Sequence, residues 1–213
     1  MPPTSSPATE HSPPTPVLLR TGFAIDVPDA LLARVRAGES AAFEQLYRWF
    51  ERPVFTLALR ISGDREEAAE VLQDTMLKVL SKVGDFKGGN GQGGSPFWGW
   101  LRQIAVNEAL MRLRSQRKHQ HELALDEDIV AVDHAPLPPA AADASALTRA
   151  LAQLPAATRS VLWLYHAEGY THEEIAALMQ RTPSFSKSQL ARGGRRLREL
   201  LEPTGMHQET AHA

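Results

Sequence analysis

Two basic runs in this chain have residue types and spacing that point to chemistry, and that chemistry is attraction to phosphate. Between Trp100 and Lys118 lie Arg102, Arg112, Arg114, Arg117 and Lys118 against a single acid, Glu108. Three aromatics, Phe97, Trp98 and Trp100, come just ahead of them. Cationic side chains attract a nucleic-acid backbone, and an aromatic face stacks on an unpaired base for about 1–3 kcal/mol. The same residues also describe a buried aromatic cluster beside a solvated basic face, and composition alone does not separate the two. Nearer the C-terminus, Arg181, Lys187, Arg192, Arg195, Arg196 and Arg198 occur with no acid among them. A third run is acidic: Glu66, Glu67, Glu70, Gln73 and Asp74 share one side of an expected helix. It reads either as a solvated face or as a docking surface.

Catalytic patterns are missing. None of the eight histidines falls in an HExxH or comparable metal spacing. The stretch from Gly88 to Ser95 is glycine-rich but lacks the Gly-Lys-Ser/Thr ending of a phosphate-cradling loop. There is no cysteine, which excludes disulfides, thiol catalysis and thiolate metal sites. The expectation is a non-enzymatic chain with no cofactor and no metal. The net charge of −2 looks unsuited to a nucleic-acid binder, but the charges are segregated along the chain. No stretch approaches the roughly 20 apolar residues of a membrane span. The first sixteen residues show no secretory pattern, so a cytoplasmic location is expected.

The elements that would position these residues are helical. Ala41, Ala42, Leu46, Phe50, Val54, Leu57 and Ile61 recur at three- and four-residue steps, with Pro53 predicting a kink or break. Asp64 and Glu67 form a capping-box pattern ahead of a helix to about Val83. Its apolar side holds Ala68, Val71, Leu72, Thr75, Met76, Val79 and Leu80. A further helix from Leu101 to about Lys118 buries Leu101, Ile104, Ala105, Ala109, Leu110 and Leu113. Residues 119–146 contain six acids, three prolines and no Lys or Arg, and read as an acidic flexible linker. Four more helices follow: 147–154, 156–168, one capped by Thr171 with Glu174, and one opened by Thr182-Pro183 and running to about Leu201. The last two have the order of a helix–turn–helix. The N-terminal residues of its second helix, Ser184, Ser186, Lys187 and Gln189, would then face base edges, and the later arginines would face phosphates.

The fold expected is all-α, with two small helical domains joined by the acidic linker. The boundaries are a disordered tail at 1–27, a helical domain at 28–118, the linker at 119–146, a helix–turn–helix domain at 147–202 and a second tail at 203–213.

These blocks resemble regions 2 and 4 of bacterial extracytoplasmic-function (ECF) sigma factors of the sigma-70 family. The run from Asp64 to Leu80 is similar to region 2.2. Phe97, Trp100, Leu101, Ile104, Ala105 and Asn107 fit the F-x-x-W-L-x-x-I-A-x-N pattern of region 2.3. The runs Leu154–Leu164, Gly169–Ala176 and Arg195–Leu201 are similar to region 4. The resemblance implies a promoter-specificity factor that binds core RNA polymerase and promoter DNA, and that an anti-sigma factor often holds inactive. Glu70, Gln73 and Asp74 would dock on the β′ clamp helices, and region 4 would bind the β flap. Trp100, Asn107, Arg112, Arg114, Arg117 and Lys118 would open and hold the −10 element. Ser184, Ser186, Lys187, Gln189, Arg192, Arg195 and Arg196 would bind the −35 element.

The chain departs from the usual helix–turn–helix. Gln180 stands where the turn expects glycine, and Ser186 where the second helix expects Val or Ile, a space that Phe185 would have to refill. Gly193-Gly194 weakens the last helix by about 1 kcal/mol per glycine. Two other readings compete: a helix–turn–helix regulator that binds duplex DNA without polymerase, and a helical adaptor whose acidic face binds a protein. The 97–118 block argues for the sigma factor, because a duplex reader has no need of it.

Overall fold

The computed structural model of the chain describes residues 25–88, 95–123 and 142–202. The expected tails, apart from residues 25–27, and the body of the linker lie outside them. So does most of the glycine-rich loop. Eight α-helices occur among the described residues: α1 (Asp29–Arg36), α2 (Ser40–Ser62), α3 (Arg65–Lys82), α4 (Pro96–Leu123), α5 (Ala142–Ala152), α6 (Ala156–His166), α7 (His172–Met179) and α8 (Pro183–Leu201). A 3₁₀ turn, Val83–Asp85, follows α3. Helices α1–α4 form one bundle, and α5–α8 pack as a second around α8.

Three local expectations are corrected. Helix α2 runs unbroken through Pro53. A proline interrupts one backbone hydrogen bond, but Phe50 and Val54 on either side are fully buried and Leu57 nearly so, and this packing holds both halves in line. Helices also enter the expected linker from both ends, since α4 reaches Leu123 and α5 begins at Ala142. The box at α3 closes only by half. Asp64 accepts from the Glu67 N–H at 2.9 Å, while the Glu67 carboxylate lies 3.8 Å from the Arg112 guanidinium. At α7 the box is complete. Glu174 accepts from the Thr171 N–H at 2.8 Å and the Glu174 N–H donates to Thr171 Oγ1 at 3.2 Å. The donation from Thr171 holds the Glu174 carboxyl below its ordinary range.

The two bundles touch, which the linker reading did not anticipate. One apolar core continues from Phe50, Leu46 and Ile61 to Val161, Leu164 and Ile175. The start of α6 sits on the C-terminal end of α2. Ser160 Oγ donates to the Ile61 carbonyl at 3.2 Å, and Arg159 donates to the Ser62 and Leu154 carbonyls. Gly63 ends α2 at φ 74°, and a Cβ there would collide with the Arg159 guanidinium. Glycine is required twice over: for the left-handed turn and for the close approach. Burial pulls the pKa of Arg159 down to about 10, so it stays charged at neutral pH. Its charge complements the carbonyl end of α2.

Candidate polymerase and nucleic-acid interfaces

The outer face of α3 follows the helical repeat from Glu70 through Gln73 and Asp74 to Leu77 and Leu80. Glu70 and Gln73 are exposed and Asp74 is half-buried. Leu77 and Leu80 are 56% and 45% exposed. The expectation that Leu80 joins the apolar side is therefore corrected: the pattern of Val71, Thr75, Met76 and Val79 turns Leu80 outward. Sequence reasoning missed Leu77 altogether, although it falls seven residues after Glu70 and so on the same face. A charged rim beside two exposed leucines is a surface suited to covering by a partner.

Arg112 comes from α4 and is bound to this acidic face. Its guanidinium donates to Asp74 at 2.7 and 3.1 Å and to Glu70 at 2.9 Å. Hydrogen bonding to Asp74 raises the Arg112 pKa above its ordinary value. Its assignment to the −10 element is corrected, because α3 and α4 lie side by side and the acids hold the charge that a phosphate would need. Nearby, Lys78 reaches the buried Glu108 at 2.5 Å, so the one acid of the basic run is paired within the fold.

The aromatic block is largely core. Phe97 is buried, with ring centroids 5.3 Å from both Phe50 and Phe86. Trp98 stacks on Phe50 at 6.0 Å with an interplanar angle of 11°. Trp100 is half-buried, 5.4 Å from Phe86 and 5.5 Å from Phe97. One turn or so further along α4, Asn107 is exposed. Two arginines of this helix face the second bundle. Arg102 pairs with Glu168 at 2.9 Å and lies over the Tyr170 ring, and Tyr170 donates to Gln103 at 3.1 Å. Arg114 donates to the Leu178 carbonyl at 3.1 Å, so in this arrangement it caps α7. Arg117 and Lys118 continue α4, and their side chains lie outside the described residues.

The helix–turn–helix is formed by α7 and α8. Gln180 takes the left-handed conformation, φ 54° and ψ 49°, so the turn keeps its geometry without glycine. Thr182 caps α8 by accepting from the Phe185 N–H at 3.2 Å. Ser184, Lys187, Arg192, Arg195 and Arg196 are exposed. Ser186 is not: it is fully buried and hydrogen-bonded to His172 Nδ1 at 2.9 Å. Its base-reading role is corrected, because its side chain occupies the inward position that the usual motif gives to Val or Ile. Phe185 is half-buried beside it and lies under Arg181. Gln189 accepts from Thr158 Oγ1 at 2.6 Å, which ties its side chain to α6. Among the described residues no group of three His, Asp or Glu could hold a metal ion, and no helix is long and apolar enough to cross a membrane.

Two helical units, one with an acidic docking face and one with a basic helix–turn–helix, define the class of DNA-directed initiation factors. Comparison with known proteins agrees. The profile of Sigma-70 region 2 matches residues 46–119, and that of Sigma-70 region 4 matches residues 144–197. The RNA polymerase sigma-H factor of Pseudomonas aeruginosa is 29% identical over 185 residues, covering 81% of this chain and 93% of the relative. The ECF RNA polymerase sigma factor SigM of Mycobacterium tuberculosis is 34% identical over 171 residues, covering 80% and 83%. Among solved structures, the sigma factor RpoE in complex with the anti-sigma factor NepR from Bartonella quintana matches with a TM-score of 0.50 and 26% identity. That match covers 76% of this chain and 98% of the other. The chain belongs to the sigma-70 family, as an RNA polymerase sigma factor of the ECF class. This membership favours the sigma factor over the polymerase-independent regulator.

Proposed function

We propose that the outer face of α3 docks on the β′ clamp helices, that the start of α4 holds the opened −10 strand, and that α8 reads the −35 element while its bundle binds the β flap. The observation that carries this reading is the placement of two unlike surfaces on two units. Glu70, Gln73, Leu77 and Leu80 are open on α3, and Lys187, Arg192, Arg195 and Arg196 are open on α8. At the −10 element, Trp100 and Asn107 are the contact residues, joined by Arg117 and Lys118. Arg112 shapes the α3 face instead, and Arg114 becomes available once its contact with Leu178 is released. The chain performs no catalytic step of its own, because the polymerase supplies the phosphoryl-transfer chemistry. It works in the cytoplasm with the polymerase. The likeness to a sigma factor solved with NepR supports control by an anti-sigma factor.

The contact between bundles bears on this reading. Elements at −10 and −35 lie about 25 base pairs apart, roughly 85 Å at 3.4 Å per base pair. An α7 that touches α4 cannot reach both at once, so the bundles part when the promoter is bound. Much of their contact is polar, through Arg102–Glu168, Tyr170–Gln103 and Arg114–Leu178, and water or DNA can replace such bonds at small net cost.

The test is to mix the chain with core polymerase and host promoter fragments, scoring co-elution together with permanganate reactivity of unpaired thymines. Co-elution with opening is the expected result, and duplex binding without core binding would overturn it. Two variants sharpen it. Leu77→Ala with Leu80→Ala is expected to leave thermal stability nearly unchanged, since both leucines are largely exposed. It should weaken core binding about 10- to 100-fold, as each forfeits about 1 kcal/mol of burial on docking. Equal core affinity by titration would remove the α3 face from the interface. Replacing Arg192, Arg195 and Arg196 together by alanine should lower −35 duplex affinity about 10²-fold near 0.1 M salt. The slope of log K against log salt should become shallower by about 2–3. An unchanged slope would show that these arginines do not meet phosphate.

A further inference from the structure

Helix α8 seats on its bundle through small residues. Its two buried residues are Ser186 and Gly193, seven positions apart and therefore on one side of the helix. Gly193 faces α6, where Thr158 and Leu162 lie against its backbone. Ser186 faces α7, where its hydroxyl meets His172 Nδ1 at 2.9 Å. The His172 ring is itself held in place. It stacks on Tyr165 with centroids 4.7 Å apart and an interplanar angle of 20°, and it opens α7 immediately after the Thr171 capping box.

Small residues allow close approach but specify rotation weakly, because they present little side-chain relief to interlock. A hydrogen bond does specify rotation. An oxygen some 4 Å from the helix axis moves roughly 1.4 Å when the helix turns by 20°, enough to stretch a 2.9 Å bond beyond useful length. The residues on the far side of α8 are Ser184, Lys187, Ala191, Arg195 and Arg198, all exposed. Whatever fixes the rotation at Ser186 fixes which of these point into a groove.

We propose that the His172–Ser186 hydrogen bond sets the rotational register of α8 against α7, which makes both positioning residues for −35 recognition. Ser186 acts through Ser184, Lys187 and the arginines and touches no DNA. The proposal rests on α8 being the −35 reader, and its test separates the two claims.

Threonine and valine at position 186 have nearly the same shape and differ in the hydroxyl. The experiment compares Ser186→Thr and Ser186→Val in reconstituted holoenzyme. The probe is the −35 duplex that wild-type holoenzyme selects from a randomised library, set against a scrambled duplex of equal length. Ser186→Thr is expected to keep the selected-to-scrambled affinity ratio within about threefold of wild type. Ser186→Val is expected to lower that ratio at least tenfold while leaving affinity for the scrambled duplex unchanged. A merely structural role would move both affinities or melting alone. His172→Phe keeps a ring against Tyr165 and removes the hydrogen bond, so it should reproduce the valine result even if position 186 tolerates no added bulk. If valine and threonine discriminate equally, or if His172→Phe discriminates like wild type, the positioning claim is overturned. If the triple arginine variant leaves both affinities intact, α8 is not the reader, and the reading beneath the proposal falls instead.

Discussion

Phe50→Ala is expected to destabilise the chain by about 3–5 kcal/mol, the range for truncating a fully buried aromatic, and to abolish promoter opening with it. Phe50 is completely buried in α2 and is the surface on which the start of α4 rests. Phe97 tilts against it at 5.3 Å and Trp98 stacks on it at 6.0 Å. Trp100 in turn packs on Phe97 at 5.5 Å, so a cavity at position 50 loosens the tryptophan assigned to the −10 strand. Denaturant unfolding followed by tryptophan fluorescence measures the first effect, and permanganate footprinting on a promoter measures the second. Phe50→Leu retains most of the volume and should cost far less, on the order of 1–1.5 kcal/mol. A loss under about 1 kcal/mol for the alanine variant would mean that α4 does not depend on this ring.

Gly193→Ala and Gly194→Ala are expected to act in opposite directions, although the residues are neighbours in one helix. Alanine improves helix propensity by about 1 kcal/mol at either position. At Gly194 a Cβ meets nothing within 4 Å, so that gain is kept and the domain should melt higher. At Gly193 a Cβ would lie 2.5 Å from Thr158 Cγ2 and 2.7 Å from Leu162 Cδ1. Thr158 is buried and bonded to Gln189, so it cannot swing aside freely. Overpacking of this kind costs about 1–3 kcal/mol, which outweighs the propensity gain and pushes α8 off α6. Thermal melts of the two variants decide the matter, with a higher melt for Gly193→Ala as the contrary result. The expectation from sequence, that both glycines simply weaken the helix, misjudges Gly193. Its lack of a side chain is what lets α8 approach α6.

The helices were legible because their signals are local. Apolar spacing marks the faces of α2 and α4, and Asp64, Thr171 and Thr182 each accept a backbone N–H at the helix start their types predict. The order of acidic face, aromatic block, linker and helix–turn–helix led to the family before any coordinates. Side-chain roles were less legible. Serine is a common surface residue, and nothing around Ser186 announces a buried hydroxyl. Arg112 sits in a basic run, and charge counting treats it as free.

By itself, then, the sequence determined the all-α class, the positions of most helices and the sigma-factor family, since propensity, capping and periodicity act within a few residues. Only the tertiary structure decided which charges remain available. Arg112 meets Asp74 across 38 residues and Arg159 meets the Ser62 carbonyl across 97. Such pairings follow from how helices pack against one another, and packing depends on the summed shape of many side chains. No local pattern encodes that sum, so the exposed stripe of α8, the open leucines of α3 and the contact between the bundles appear only when the chain is folded.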